Sequence, residues 1–87
     1  MTTPAYDQHN PYFKAWEDIW DEINAARKSH APMHGAHEGW AVIYEELDEL
    51  WDEVKAKKLD KAKAYIEAKQ VAAMALAFMV EVCGGGS

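Results

Sequence analysis

With 87 residues the chain is long enough for one domain and too short for two. Nine Lys and Arg against 15 Asp and Glu give a formal charge of −6, which argues against a surface built to coat a nucleic-acid polymer. The one cysteine, Cys83, leaves no intrachain disulfide framework and points to a reducing compartment. Residues 1 to 10 are polar, contain Pro4 and read as a flexible arm. Asn10-Pro11 then supplies an N-cap followed by proline at the first helical position. Phe13, Trp16, Ile19, Trp20, Ile23 and Ala26 recur at helical spacing, predicting a first helix over 11–29. Ser29-His30-Ala31-Pro32 closes it, because the residue before a proline resists the α region.

A short connection containing Gly35 leads to a second predicted helix over 37–57, with Trp40, Ile43, Leu47, Leu50 and Val54 as its apolar seam. Asp60 is placed to cap a third helix over 61–83, and Gly84-Gly85-Gly86-Ser87 reads as a flexible tail. The single helical domain is therefore expected over 11–83. No strand pattern appears, so the fold class is all-α. The apolar run from Val71 to Val80 is half the roughly 20 residues needed to span a bilayer. With no charged-then-apolar leader at the N-terminus, a cytoplasmic protein with no membrane partner is expected. Four tryptophans, four tyrosines and two phenylalanines are a large apolar load for a domain that buries only about 60% of its extended-chain surface. A second copy of the chain would cover part of that load, which predicts a homo-oligomer.

The feature that carries chemistry is the acidic run in HEGWAVIYEELDELWDEV, residues 37–54. At about 100° per residue, Val42, Glu46, Glu49 and Glu53 form one stripe flanking the apolar seam, whereas Glu45, Asp48 and Asp52 turn toward solvent. An acidic helix flank is most often simply solvated. On the third helix, however, Glu67 and Gln70 fall within the apolar face of Val71, Met74, Phe78 and Val82. Oxygen donors three residues apart on two facing helices can surround a hard divalent cation that also bridges to phosphate.

Residues 34–82 resemble the MazG-like branch of the all-α nucleoside triphosphate pyrophosphohydrolases. The family pattern EExxE reads here as Glu45-Glu46-x-x-Glu49, and its ExxD as Glu67-x-x-Gln70. The surrounding HEGWAVIYEELDELWDEVK and EAKQVAAMALAFMVEV fit the same pattern. The resemblance implies three-helix subunits that pair into four-helix bundles, as a homodimer or a dimer of dimers. It implies hydrolysis of (deoxy)nucleoside triphosphates to monophosphate and pyrophosphate. It further implies Mg²⁺, with Mn²⁺ as an alternative, held by Glu46, Glu49, Glu67 and Gln70, and a supporting catalytic role for Glu45. Gln70 departs from the family's Asp. Its carbonyl can ligate but is uncharged, so a weaker metal site, or one completed by the nucleotide, is expected. The same departure keeps open a rival reading, a non-catalytic helical dimer that binds a nucleotide or a protein on the same scaffold. A coiled-coil adaptor fits poorly, because the helices are short and lack sustained heptads.

Lys61 and Lys63, opening the third helix, are candidate phosphate contacts, although solvent-facing lysines are the commoner case. His34-x-x-His37 invites a zinc reading, but no cysteine or second histidine pair completes a zinc pattern. His37 is better read as a nucleotide contact, against the simpler reading of a helix-entry residue. Aromatics at helical spacing usually pack; if any stack on a base, Trp51 is nearest the motif and Trp20 enters from the first helix. Cys83 has no basic neighbour in sequence and is read as inert.

Overall fold

The structure is a computed structural model that describes residues 9–85. Most of the arm expected over 1–10 and the last two residues of the Gly-Ser tail lie outside that range. The described residues form three helices, α1 (Pro11–Ser29), α2 (Ala36–Val54) and α3 (Lys61–Ala77), the last continued by a π turn (Phe78–Val82). There is no strand among the described residues. None of their helices is long and apolar enough to cross a membrane.

The helix starts follow from local chemistry. Asn10 accepts a hydrogen bond from the Tyr12 amide at 2.8 Å, with Pro11 needing no partner for a missing N–H. Asp60 accepts from the amides of Ala62 and Lys63, both at 3.1 Å. At the other end of α2 the expected boundary near residue 57 moves back to Val54. Lys55 caps the helix by donating its amide to the Trp51 carbonyl, and residues 55–58 bend away.

The end of α3 also differs from the expected continuous helix to residue 83. From Phe78 the register widens to the π type, and the Cys83 amide reaches the Phe78 carbonyl at 3.2 Å. Gly84, at φ 70°, then turns the chain out of the helix. The wider turn carries Glu81 to Arg27 of α1. The guanidinium donates from Nε to Oε2 at 2.5 Å and from Nη2 to Oε1 at 2.6 Å. The Met33 amide, in the connection before α2, donates to the same Oε1 at 2.9 Å. One carboxylate therefore ties together α1, the connection and the end of α3.

Both other helices pack on α3, where Ala73 and Ala77 are almost fully buried and small enough to let them approach. Ile23 and Met33 complete the buried core, with Ile19, Val42, Met74, Leu76, Phe78 and Val82 packed around it. Gly39 of α2 is buried against the π turn, and a Cβ there would stand 2.6 Å from Phe78 Cδ2. Polar ties run between α1 and α3: the Tyr65 hydroxyl donates to Asp18 at 2.5 Å, and Lys69 lies 3.4 Å from Glu22.

The seam expected for α2 is corrected by this packing. Trp40, Leu47 and Val54 are exposed, as are Tyr44 and Trp51. The side of α2 that sits against the rest of the subunit carries buried Gly39 and part-buried Val42, Ile43, Glu46, Leu50 and Glu53, so Ile43 and Leu50 of the expected seam face inward and its other three members do not. Small Gly39 lets the helices close, and the apolar surplus is left on the outside.

Candidate functional site

The two helices that position the site are α2 and α3. Glu46 and Glu49 are separated by one turn on α2, and Glu67 faces them from α3. One carboxylate oxygen from each lies within 4.8 Å of the others. Among the described residues this is the one group of acidic, histidine or cysteine side chains with that spacing. The helical spacing placed Glu46, Glu49 and Glu67 on facing sides, and the structure brings them together.

Gln70, one turn beyond Glu67, sits beside the same carboxylates. Its amide satisfies its surroundings when the nitrogen faces them, donating to Glu46 Oε2 and Glu67 Oε2 at 3.1 Å each. In the opposite orientation its carbonyl would face acceptors only. Glu45 is exposed on the neighbouring face of α2, close enough for its charge to act on Glu46.

Electrostatics at this cluster are unfavourable without a cation. Burial, followed by the charges of Glu49 and Glu67, pushes the Glu46 carboxyl up to about 7. Burial and the same Glu49 charge raise Glu67 above the ordinary carboxylate range. The causes of both shifts are burial and neighbouring glutamates. At neutral pH the cup therefore holds part of a proton, which a bound cation would displace. The donor set is all oxygen and mostly carboxylate, which fits Mg²⁺ or Mn²⁺ and not a soft metal.

A cavity of about 400 Å³ opens beside the cup and uses Glu46 and Gln70 as part of its wall. Val42, Met33 and Met74 give it an apolar side, and Glu22, Glu38 and His30 add polar groups. The volume falls in the roughly 300–1,000 Å³ range of small-molecule sites. Sequence reasoning missed Glu22, Glu38 and His30. Glu22 carried a usable signal: it lies three residues from Ile19 and four from Ala26, a carboxylate on the inward stripe of α1. That is the same pattern that singled out Glu46.

The other expected contacts lie elsewhere. His37 is exposed and off the cavity wall, and His34 pairs with Glu38 at 3.3 Å. Trp51 is two residues, or about 200°, from Glu49 and faces outward. Trp20 stacks on Trp16 with parallel rings 5.9 Å apart, and both are half exposed. Lys61 and Lys63 are exposed at the start of α3, with Lys63 one turn before Glu67 on the same side. Neither protein-family models nor curated proteins nor solved structures match this chain.

Proposed function

We propose that the chain is a divalent-metal-dependent hydrolase of (deoxy)nucleoside triphosphates, releasing pyrophosphate and the monophosphate, and that it works as a homodimer or a dimer of dimers. The carrying observation is the cup of Glu46, Glu49 and Glu67 on facing helices, opening onto a ligand-sized cavity. The motif resemblance supplies the reaction class, and the acidic cup supplies a reason for the cation. Those three carboxylates would hold Mg²⁺ or Mn²⁺. Bound there, the cation would supply positive charge to phosphate oxygens and lower the pKa of water.

The protein's own groups divide the remaining work. Glu46, pushed up to about 7 without a cation, would release its proton as the cation binds, which couples metal binding to pH. Glu45 reinforces the negative field at Glu46 from the outer side of the helix. Lys63 and Lys61 stand at the end of α3 nearest the cup and would meet phosphates that extend past it. The cavity wall of Val42, Met33 and Met74 offers an apolar surface to a base or sugar.

Dimerisation rests on the outer face of α2. Trp40, Tyr44, Leu47, Trp51 and Val54 are each between 46% and 61% exposed, beside Trp16 and Trp20 of α1 at about half. Covering a large apolar side chain is worth roughly 1.5–3 kcal/mol, so this face strongly favours a second copy. Pairing of two such faces would build the four-helix bundle, and Trp20, Trp51 or His37 of one protomer would then reach a site only through that pairing.

Pyrophosphate release from each dNTP with Mg²⁺ or Mn²⁺ tests the reaction. Turnover that disappears in Glu49→Gln supports it. Absence of turnover with retained nucleotide binding would leave the non-catalytic binding module as the better account. Sedimentation of Leu47→Glu tests the assembly, with a shift from dimer or tetramer to monomer expected and a monomeric parent protein overturning it.

A further inference from the structure

The cavity has two ends. Glu46 and Gln70 belong to its wall beside the cup, and Met74 lies about one turn further along α3. Glu81 follows on the same helix and holds Arg27, which is again a wall residue, together with Ala31 and Met33. Arg27 is the one Lys or Arg of that wall among the described residues. Its side chain remains 22% exposed, so Glu81 does not cover all of it.

What the guanidinium has left is decided by which edge Glu81 takes. The carboxylate accepts from Nε and from Nη2, the pair on the side of the group. Both N–H groups of Nη1 and the second of Nη2 remain, and Nη1 has no hydrogen-bond partner among the described residues. One N–H of Nη1 and the spare one of Nη2 run parallel at the tip, a planar fork that fits two adjacent acceptors. The bonds to Glu81 fix the plane of that fork before any ligand arrives. They also set a carboxylate charge against it, so the fork offers direction more than net charge. Phosphates are better matched by a cation in the cup.

We propose that Arg27 is a specificity-determining residue: the tip of its guanidinium donates two parallel hydrogen bonds to a nucleobase edge seated at this end of the cavity. The inference rests on the nucleotide reading above and names the class of base. The fork needs two neighbouring acceptors on one edge. Guanine presents O6 beside N7, and cytosine presents O2 beside N3. Adenine sets an amino group beside N7, and thymine and uracil place an N–H between their carbonyls, so none of these fits. A bidentate contact of this kind discriminates by roughly tenfold or more.

Arg27→Lys tests this, because it keeps the charge and removes the fork. Glu81→Gln is the control: it weakens the same tie and leaves the tip of Arg27 intact. Affinity for non-hydrolysable α,β-imido analogues of dGTP, dCTP, dATP and dTTP is measured by calorimetry with Mg²⁺. The parent protein is expected to bind the dGTP or dCTP analogue about tenfold or more tightly than the dATP and dTTP analogues. Arg27→Lys is expected to lose most of that preference while its dTTP-analogue affinity stays within about threefold of the parent, and Glu81→Gln is expected to keep the preference. A parent without the preference, an Arg27→Lys variant that keeps it, or a Glu81→Gln variant that loses it as fully overturns the proposal. Should Arg27→Lys not fold, the Arg27 side-chain nitrogen signals of the parent decide by NMR. The preferred analogue must shift them and the dTTP analogue must not; signals indifferent to both overturn the proposal. If the parent binds none of the analogues, the nucleotide reading falls and takes this one with it; the other failures leave that reading standing.

Discussion

Glu81 and Glu46 are both partly buried glutamates against the same helix bundle, yet their surroundings push them in opposite directions. Glu81 accepts from both Arg27 nitrogens and from the Met33 amide, and the arginine holds its carboxyl below the ordinary range. Glu46 has burial and two other carboxylates beside it, and its carboxyl rises to about 7. Its neighbour Gln70 is neutral and would donate to it only with the amide turned so that the nitrogen faces the carboxylates. A carboxylate with a matched cation is a tie between elements. A carboxylate surrounded by its own kind is stored repulsion, tolerated where a ligand relieves it. On the proposed function, Glu81 is the structural acid and Glu46 the functional one.

The largest expected effect lies on the functional side. Glu49→Gln removes one wall of the cup and, on the proposed function, lowers kcat/KM for the preferred dNTP on the order of 100-fold or more. Glu81→Gln should leave turnover per folded molecule close to that of the parent, while reducing stability in urea by about 2 kcal/mol at pH 7 because Arg27 loses its charged partner. Equal losses of activity in the two variants, each measured on folded protein, would erase the distinction.

The pH dependence sharpens it further. Because the Glu81 pKa is lowered on folding, its stabilisation is present above the ordinary carboxylate pKa of about 4.3 and disappears as pH falls through the lower folded value. Glu46 has the opposite sign. Its pKa is raised on folding, so the folded state gains stability as pH drops from above 7 toward the unfolded value. Metal-free protein is therefore expected to be most stable near pH 5, and Glu46→Gln should gain about 1 kcal/mol at pH 8 and almost nothing at pH 4. Mn²⁺ should raise the Tm more at pH 8 than at pH 5.5, since protons and cation compete for one cup. A flat stability profile from pH 5 to 8 in Glu46→Gln and parent alike would remove the stored repulsion from the account.

Much of this contrast was legible beforehand, and the reasons are local. Asn10 and Asp60 announced their helices because a side-chain cap acts within three residues of itself. The stripe of Glu46, Glu49 and Glu53 could be read from helical spacing alone. Which part of the apolar seam of α2 faces inward could not: Ile43 and Leu50 do, while Trp40, Leu47 and Val54 do not. The richest apolar surface belongs to Trp40, Leu47 and Trp51, and periodicity scores apolar character without asking whether it meets the same chain or another. The inward face is set instead by what Gly39 allows, a close approach that a count of hydrophobic residues passes over. Glu81 was equally hidden. Its partner lies 54 residues away, and it reaches it through a π turn that no spacing rule marks.

That π turn gives the smallest and most local test. Alanine at position 39 gains about 1 kcal/mol of helix propensity over glycine. Its Cβ, however, would sit 2.6 Å from Phe78 Cδ2 and 3.2 Å from Met33 Sδ, so the ring that opens the π turn must move. Overpacking of this kind costs typically about 1–3 kcal/mol, which leaves a net loss of about 0–2 kcal/mol once the propensity gain is counted. Both contacted residues also connect to the tie: Met33 donates its amide to Glu81, and Phe78 begins the turn that carries it. Gly39→Ala should therefore raise the Glu81 pKa back toward the ordinary carboxylate value in a carbon-13 NMR titration, and leave that of Glu46 in place. If the Glu46 titration moves and that of Glu81 does not, α2 and α3 shift together at the cup, and the tie and the site are not the independent regions described above.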